Sequence, residues 1–445
     1  MTIMNVELLH QMNHISLLDL FGIEDIGKQL FRWLSEENIN IHMITIRFVS
    51  KDTKSMFELY LKSEFPILHR PKKYQICAQA AFSGNIPLLE WIHRIGFKWN
   101  NETCASAASG GHLELLKWAR ENNCSWTNET CARAAYGGHL EVLKWVREHG
   151  CRWNSETCAA AAHGGHLEVL KWARANGCKW DSLTCSRAAS SGHLEIIKWA
   201  RGNGCEWDSL TCSRAAENGH LEVLKWAHEN GCEWDSETCA DAALGGYTEV
   251  LKWAHQNGCE WNSVTCANAA LGGHLEILKW ARKNDCTWDY YTCASAAESG
   301  HLEILKWARA NGCEWSEYTC SSAAESGHLA VLKWARENGC PWDRFTCANA
   351  AYSGHLEMLK WAHENGCPWD ETTCAEAASN GHLEVLKWAH ENGLSVPGCD
   401  SYTLICSNAA ENGHLEVLKW AQKHGYQFDK ETRIVAARKW PNIFQ

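Results

Sequence analysis

The sequence predicts an all-α solenoid of about thirteen helix pairs, and three observations support this fold class. One unit recurs with a step of 27 residues, as from His139 to His166 and on to His193. Every unit carries two patterns of helical type, one around Thr-Cys and one around Leu-Lys-Trp. The segments between these patterns are rich in Gly, Asn, Asp and Ser, which start and stop helices. A fixed period of this kind is the signature of stacked repeats.

A Gly-His pair marks the units most clearly. Its His occupies positions 112, 139, 166, 193, 220, 274, 301, 328, 355, 382 and 414. Tyr247 fills the one position left empty, and Asn85 stands in a weaker first copy, which brings the total to thirteen. The last interval has 32 residues because the segment 394–398 adds a loop.

Each unit contains two helical segments of unequal predicted length. The longer helix runs from the Gly-His pair towards the next Gly, as in Leu140–His149. Its apolar positions cover more than one face, which suits a helix packed between two neighbours. Glu141 and Lys144 stand three residues apart on the remaining face, as in a helical ion pair. The shorter helix covers the Thr-Cys-Ala-x-Ala-Ala segment, as in Thr130–Ala135, with a polar N-cap residue before it.

The composition argues against several classes of protein. Apolar residues make up 45% of the 445 residues, and the net charge of −11 is spread along the sequence. This balance does not favour binding to DNA, RNA or anionic membranes. No apolar run reaches the roughly 20 residues that span a bilayer, and the first residues lack the pattern of a secretory signal. We therefore expect a cytoplasmic protein in a reducing compartment, inside the host cell if the source is viral.

One ordered set of residues carries a family resemblance. It consists of Thr130, Ala134, Ala135, Gly138, His139, Leu140, Glu141 and Gly150. In this order the unit resembles the ankyrin repeat, over about residues 76–433. The resemblance implies a solenoid whose concave face binds other proteins. The family period is about 33 residues, and the missing residues fall where ankyrin repeats carry β-hairpin fingers. We therefore expect tight loops without long fingers, as in the Trp- and Cys-rich variants of algae, oomycetes and large DNA viruses.

The chain divides into three segments on the basis of the repeat. They are a helical N-terminal segment at 1–70, the solenoid at 71–433 and a C-terminal cap or tail at 434–445. Apolar residues in the first segment, among them Ile26, Leu30, Phe31 and Leu34, are similar to a degenerate F-box that lacks the usual Leu-Pro. This resemblance implies docking onto a Skp-type adaptor of a cullin-type ubiquitin ligase. The alternative is a helical cap over the first repeat.

The abundance of cysteine and histidine suggests a metal-binding module, which stays open as a third hypothesis. The chain has 24 Cys and 23 His. Within a unit the two residue types lie at opposite ends of a helix about 12 Å long, whereas zinc ligands converge within about 2.3 Å of the metal. Cysteines of adjacent units could still share a metal or react as thiols. We favour small buried framework cysteines and expect no cofactor and no metal.

Residues that recur in every unit serve the framework in this interpretation. They include His139, His166, His193, His220, Trp145, Trp153, Trp172 and Trp180. An active site needs unlike groups that converge in one pocket, whereas a repeat spreads one group along a line. We therefore predict no enzymatic activity and no catalytic residues. Each His is expected to brace the turn between its two helices, and the Trp residues are expected to be buried.

Function is expected at positions that differ between units, because the framework would otherwise make them alike. Three positions vary: one within the shorter helix, one before its Thr and one after its last Ala. They predict a partner surface with a basic stretch and a later aromatic stretch. The first contains Arg133, Arg187 and Arg214 with Leu183 and Leu210 beside them, and the second contains Tyr290, Tyr291, Tyr318, Phe345 and Tyr352. Tyr and Arg are enriched at interface hot spots. The alternative is neutral variation on a solvated surface.

The sequence thus predicts a monomeric scaffold that binds one or more proteins along its concave face. No nucleic acid or membrane partner is expected. Substrate recognition for a ubiquitin ligase, with a Skp-type adaptor as second partner, is the alternative that depends on residues 1–70.

Overall fold

The computed structural model describes residues 73–94, 98–394, 401–441 and 443. Within these ranges the chain forms 27 helices and no β-strand. The helices make thirteen consecutive pairs followed by a single helix, Lys430–Lys439, which spans the predicted boundary at 433. The predicted helical-repeat solenoid without β-hairpin fingers is therefore confirmed. Residues 1–70, with the F-box resemblance and the predicted helical cap, lie outside the described residues.

The two helices of a pair are named here by their motifs. The first, the Thr-Cys helix, spans Lys73–Phe82, Asn101–Ser109, Asn128–Tyr136, Ser155–His163, Ser182–Ser190, Ser209–Glu217, Ser236–Leu244, Ser263–Leu271, Tyr290–Glu298, Glu317–Glu325, Arg344–Tyr352, Glu371–Ser379 and Ser401–Asn412 in successive repeats. The second, the Lys-Trp helix, spans Ile86–Arg94, Leu113–Glu121, Leu140–Glu148, Leu167–Ala175, Leu194–Gly202, Leu221–Glu229, Thr248–Gln256, Leu275–Lys283, Leu302–Ala310, Leu329–Glu337, Leu356–Glu364, Leu383–Glu391 and Leu415–Lys423.

The two helices are equally long in most repeats, contrary to the expected longer and shorter helix. Asn128–Tyr136 and Leu140–Glu148 both have nine residues. The first begins before the Thr-Cys motif because Thr127 is extended and accepts a hydrogen bond from the Glu129 N–H. Capping by Thr satisfies one of the free N–H groups of the first turn. The polar residues ahead of the motif therefore belong to the helix and not to the loop.

The core lies between the two helices of each repeat. Ile304, Leu305 and Ala308 of one Lys-Trp helix are buried, as are Ala296 and Ala297 of the Thr-Cys helix before it. On either side of Trp207, the small Ala side chains let successive Thr-Cys helices pack directly on one another, and each Lys-Trp helix packs on the Thr-Cys helix of its own repeat. Contacts divide the chain into two units, Met1–Trp207 and Asp208–Gln445, and each has this arrangement.

The repeated His braces the turn of the preceding repeat. His139 is the N-cap residue of its Lys-Trp helix, but its side chain makes no capping bond there. Its Nε2–H donates instead to the Ser109 carbonyl, 3.0 Å away, at the end of the previous Thr-Cys helix. The ring lies over Gly111, whose φ of +77° suits glycine. His166, His193 and His220 occupy the same N-cap position. The His therefore joins repeats, where the sequence analysis expected it to brace its own turn.

The Trp residues form contacts between repeats and are half-buried, where the sequence analysis expected burial. Trp153, in the loop of one repeat, meets Trp172 of the next edge-to-face at a centroid distance of 5.8 Å. The guanidinium of Arg147 lies 4.1 Å from the centre of the Trp153 ring. Trp126 with Trp145, and Trp180 with Trp199, repeat this pairing. The rings stay partly exposed because an Arg side chain, and not the apolar core, covers one face.

Candidate functional site

The three variable positions share one face of each Thr-Cys helix. In Tyr290–Glu298 they are Tyr291, Ser295 and Glu298, at the second, sixth and ninth residues. Positions four and then three residues apart lie on the same side of an α-helix. The residues between them, such as Thr292 and Cys293, are buried. The variable side chains therefore form the accessible side of a helix whose other side belongs to the core.

Within each unit, the successive Thr-Cys helices pack side by side, so the three variable positions form three rows. Asn side chains at the sixth position bond neighbouring helices together. Asn268 Nδ2–H donates to the Ala240 carbonyl at 3.2 Å, and Asn349 Nδ2–H donates to the Ser321 carbonyl at 3.4 Å. Side chains from adjacent repeats thus lie side by side. We call this surface the Thr-Cys face.

The structure places the predicted basic residues on the Thr-Cys face with different partners. Arg133 is exposed and pairs with Glu129 of its own helix at 3.2 Å, and Arg214 pairs with Glu217 three residues later. Arg187 is exposed and forms no ion pair with a described residue. Carboxylates therefore offset two of the three positive charges, and the basic stretch is weaker than the sequence indicates.

The predicted apolar residues differ in exposure. Leu183 is exposed at the second position of its helix, and Leu210 is half-buried at the same position. They lie in different units, because the chain divides after Trp207.

Four of the five predicted aromatic residues lie at the N-terminal ends of three neighbouring helices. Tyr290 stacks on Tyr318 at a centroid distance of 5.9 Å and lies 4.3 Å from Tyr291. Phe345 occupies the equivalent position one repeat after Tyr318. Tyr352 is at the opposite end of its helix, about 10 Å from Phe345 at 1.5 Å per residue. The aromatic residues therefore form one row, with Tyr352 outside it.

Two exposed carboxylates were missed by the sequence analysis. Glu298 and Glu325 occupy the ninth position of neighbouring Thr-Cys helices, at the end away from the aromatic row. The signal was available, because this position is one of the three that vary. At this position the sequence analysis singled out Tyr352 and not the carboxylates of the neighbouring repeats.

Asp241, at a sixth position of this face, has a raised pKa. Burial above all, and then the nearby Glu217 and Glu237, raise its pKa to about 6, while Ser213 and Arg214 act in the opposite direction. Its pKa in the folded protein is therefore above the ordinary value of 3.8. Between about pH 4 and pH 6 the folded chain holds a proton that the unfolded chain releases. Stability contributed by this group falls as the pH rises through that range.

We expect Asp241→Asn to raise the free energy of unfolding at pH 7 by about 1 kcal/mol, a value reduced for solvent screening of a half-exposed group. Asn suits the position, because Asn268 one repeat later donates to the carbonyl of Ala240. Urea unfolding followed by circular dichroism at pH 7 and pH 4 measures the difference. The gain should disappear at pH 4, where the native carboxyl is already protonated. An equal gain at both values would contradict the electrostatic cause.

The cysteines belong to the interior. Every described cysteine is a buried free thiol. The second thiol of a repeat donates to a carbonyl just before the Thr-Cys helix, as Cys124 Sγ–H does to Asn100 at 3.2 Å. The interaction with Cys124 and burial raise the pKa of Cys104, whereas the interaction with Cys104, together with Arg120, lowers the pKa of Cys124. Over the described ranges, no cluster of three or more His, Cys, Asp or Glu side chains could hold a metal ion. No described helix is both long enough and apolar enough to cross a membrane.

Known proteins give matches of two kinds. The family model described as ankyrin repeats (many copies) matches residues 320–363 and 347–390. No curated protein matches the sequence. Among solved structures, the human ASB11 ankyrin repeat domain is 18% identical, with 35% of this chain and 84% of that chain covered and a TM-score of 0.29.

Two further solved structures are of a pentatricopeptide repeat protein. PPR10 in complex with an 18-nt psaJ RNA element is 12% identical, with 93% of this chain and 74% of that chain covered and a TM-score of 0.32. PPR10 from maize is 16% identical, with coverages of 88% and 71% and a TM-score of 0.31.

The matched residues carry the same unit as the rest of the solenoid. They include Gly327-His328 and Gly354-His355, each between a Thr-Cys helix and a Lys-Trp helix. Most of the helix pairs before and after them have the same lengths and equivalent buried positions. Residues 320–390 therefore match ankyrin repeats, and they share their 27-residue unit with the rest of the described solenoid.

Proposed function

We propose that this chain is an ankyrin-type scaffold that binds a protein partner across its Thr-Cys face. The observation that carries the proposal is the convergence of all three variable positions on that face. Binding along such a face uses many side chains at once, and a few of them usually supply most of the affinity. Nothing in this proposal requires a cofactor.

The Lys-Trp helices are more uniform than the Thr-Cys face. The Lys-Trp helices repeat one ion pair, such as Glu141 with Lys144 at 2.7 Å and Glu303 with Lys306 at 2.8 Å. Exposed pairs of this type contribute a few tenths of a kcal/mol to a helix. A row of identical pairs offers the same chemistry at each repeat. Selective recognition needs differences between sites, and these are concentrated on the Thr-Cys face.

Site-specific photo-crosslinking tests the proposal. A photoreactive amino acid is placed in the full chain at Ser106 or Ser295, which are sixth positions of Thr-Cys helices in the two units. Irradiation in a cell extract is expected to give discrete protein adducts that mass spectrometry can identify. The matched control carries the same group at Glu303, whose side chain is 78% exposed on a Lys-Trp helix. Adducts of equal yield at Glu303, or none at either Ser, would refute binding through this face.

A further inference from the structure

We infer that the Thr-Cys face around residues 290–352 binds a basic peptide segment in extended conformation. The inference rests on the proposed function and names the chemistry of the partner. Two rows define the surface, which we call the aromatic–acidic patch. Its aromatic row is Tyr291, Tyr318 and Phe345, and its acidic row is Glu298 and Glu325.

The aromatic row is an exposed platform of three rings. Tyr291 and Tyr318 are each 52% exposed and Phe345 is 48% exposed. The rings of Tyr291 and Tyr318 have centroids 6.4 Å apart and planes inclined by 31°, and the Tyr290 ring stacks on Tyr318 beside them. Aromatic faces carry a negative electrostatic potential that attracts ammonium and guanidinium groups. The row is thus suited to cations as well as to apolar side chains.

The acidic row runs parallel to the aromatic row. Glu298 and Glu325 are exposed seven residues after Tyr291 and Tyr318, which puts the two rows about 10 Å apart. Neither carboxylate is in an ion pair with a described residue, and Glu325 accepts a hydrogen bond from Asn349 Nδ2–H at 3.3 Å. Ionised carboxylates of this kind attract a cationic partner and repel phosphate groups.

Arg344 shows how a cation binds at the N-terminal end of a Thr-Cys helix. The guanidinium of Arg344 lies 5.2 Å from the centre of the Phe345 ring. Its Nη1–H donates to Asp370 Oδ2 of the next repeat at 2.9 Å. An aromatic ring and a carboxylate therefore bind one guanidinium here, whereas Tyr290 and Glu317 occupy the position equivalent to Arg344 beside Tyr291 and Tyr318.

The spacing of the repeats sets the spacing of the partner. Packed helices lie about 8–10 Å apart, and an extended peptide of the polyproline II type advances about 3.1 Å per residue and presents every third side chain on the same side. One repeat thus corresponds to about three residues, so a cationic residue at every third position would meet successive repeats. A single strand of RNA could stack on the rings, but its phosphates would face the acidic row. The carboxylates therefore favour the basic peptide.

Fluorescence anisotropy with the full chain tests this inference. The probe is a labelled peptide of four Arg-Ser-Leu triplets, and a peptide of the same composition with its arginines clustered serves as comparison. We expect the triplet peptide to bind more tightly, with an affinity that falls as salt is added. The double variant E298Q/E325Q is expected to lose about tenfold in affinity, and Y291S/Y318S a similar factor.

The matched control is E337Q/E364Q, which removes the same charge from exposed positions on Lys-Trp helices. It should bind the triplet peptide like the unchanged chain. Equal losses in the two glutamine variants, equal affinity for both peptides, or preferential binding of oligouridine RNA would each overturn the inference. Photo-crosslinks at Ser295 without patch-dependent peptide binding would refute this inference alone, whereas absent crosslinks at both Ser positions would refute the proposed function.

Discussion

Leu305→Ala is expected to lower the free energy of unfolding of its part of the solenoid by about 2–5 kcal/mol. Leu305 is fully buried in the Lys-Trp helix Leu302–Ala310. Its truncation removes apolar contact and leaves a cavity between two rigid helix layers, which can collapse only partly. Urea unfolding followed by circular dichroism measures the loss. Hydrogen exchange should show it strongest in the repeats on either side, because repeats contact only their neighbours.

Leu302→Ala is the matched control for Leu305. It makes the same chemical change in the same helix, at a half-buried residue. Its cost should be clearly smaller, since the area removed from water is smaller. Equal costs at the two positions would show that the core does not lie between the helices of a repeat as described.

Gly246→Ala is expected to have the second largest effect, about 2–4 kcal/mol. Gly246 has a φ of +82°, and a left-handed conformation costs a residue with a Cβ about 1–2 kcal/mol. The added Cβ would also lie 2.5 Å from Cε1 of His274. The ring would have to move and would lose its hydrogen bond to the Leu244 carbonyl, which is 3.1 Å long.

Gly258→Ala separates the two contributions to the Gly246 effect. Gly258 has a φ of +88°, and a Cβ there would meet nothing within 4 Å. Its substitution should cost only the left-handed term of about 1–2 kcal/mol. Thermal unfolding of both variants gives the comparison. If the two variants melt at the same temperature, the His bond between repeats does not contribute to stability.

The number and order of the helix pairs were predictable because each repeat supplies the same apolar pattern. The helix lengths were not predictable. The polar residues before Thr130 resemble a loop in the sequence, but the capping hydrogen bond of Thr127 includes them in the helix. The exposure of Trp153 depends on Arg147, which lies six residues away in the sequence and covers the ring only after the chain turns. Periodicity identifies apolar positions, but it does not identify which neighbour covers them.

The location of the candidate site was predictable from differences between repeats. Of its electrostatic interactions, only those between residues close in the sequence were predictable. The pairing of Arg133 with Glu129 follows from a spacing of four residues and could have been read from the sequence. The grouping of Tyr290 with Tyr318, 28 residues later, needs the lateral packing of two helices. The raised pKa of Asp241 needs burial as well as neighbouring charges, and burial appears only in the folded chain.

The hydrogen bonds from His112, His139, His274 and His414 to the repeat before them give the array a direction. The carbonyl at the end of a Thr-Cys helix accepts its hydrogen bond from the His of the repeat that follows. The last Thr-Cys helix, Ser401–Asn412, therefore needs a different donor. The terminal helix supplies that donor, because Lys439 Nζ–H bonds to the carbonyls of Ala410 and Glu411 at 2.9 and 2.5 Å. The Glu411 carbonyl corresponds to the Ser379 carbonyl that His414 binds one repeat earlier. Lys439 thus caps the C-terminal end of the last Thr-Cys helix. A chain truncated before Lys439 is expected to begin unfolding at that helix.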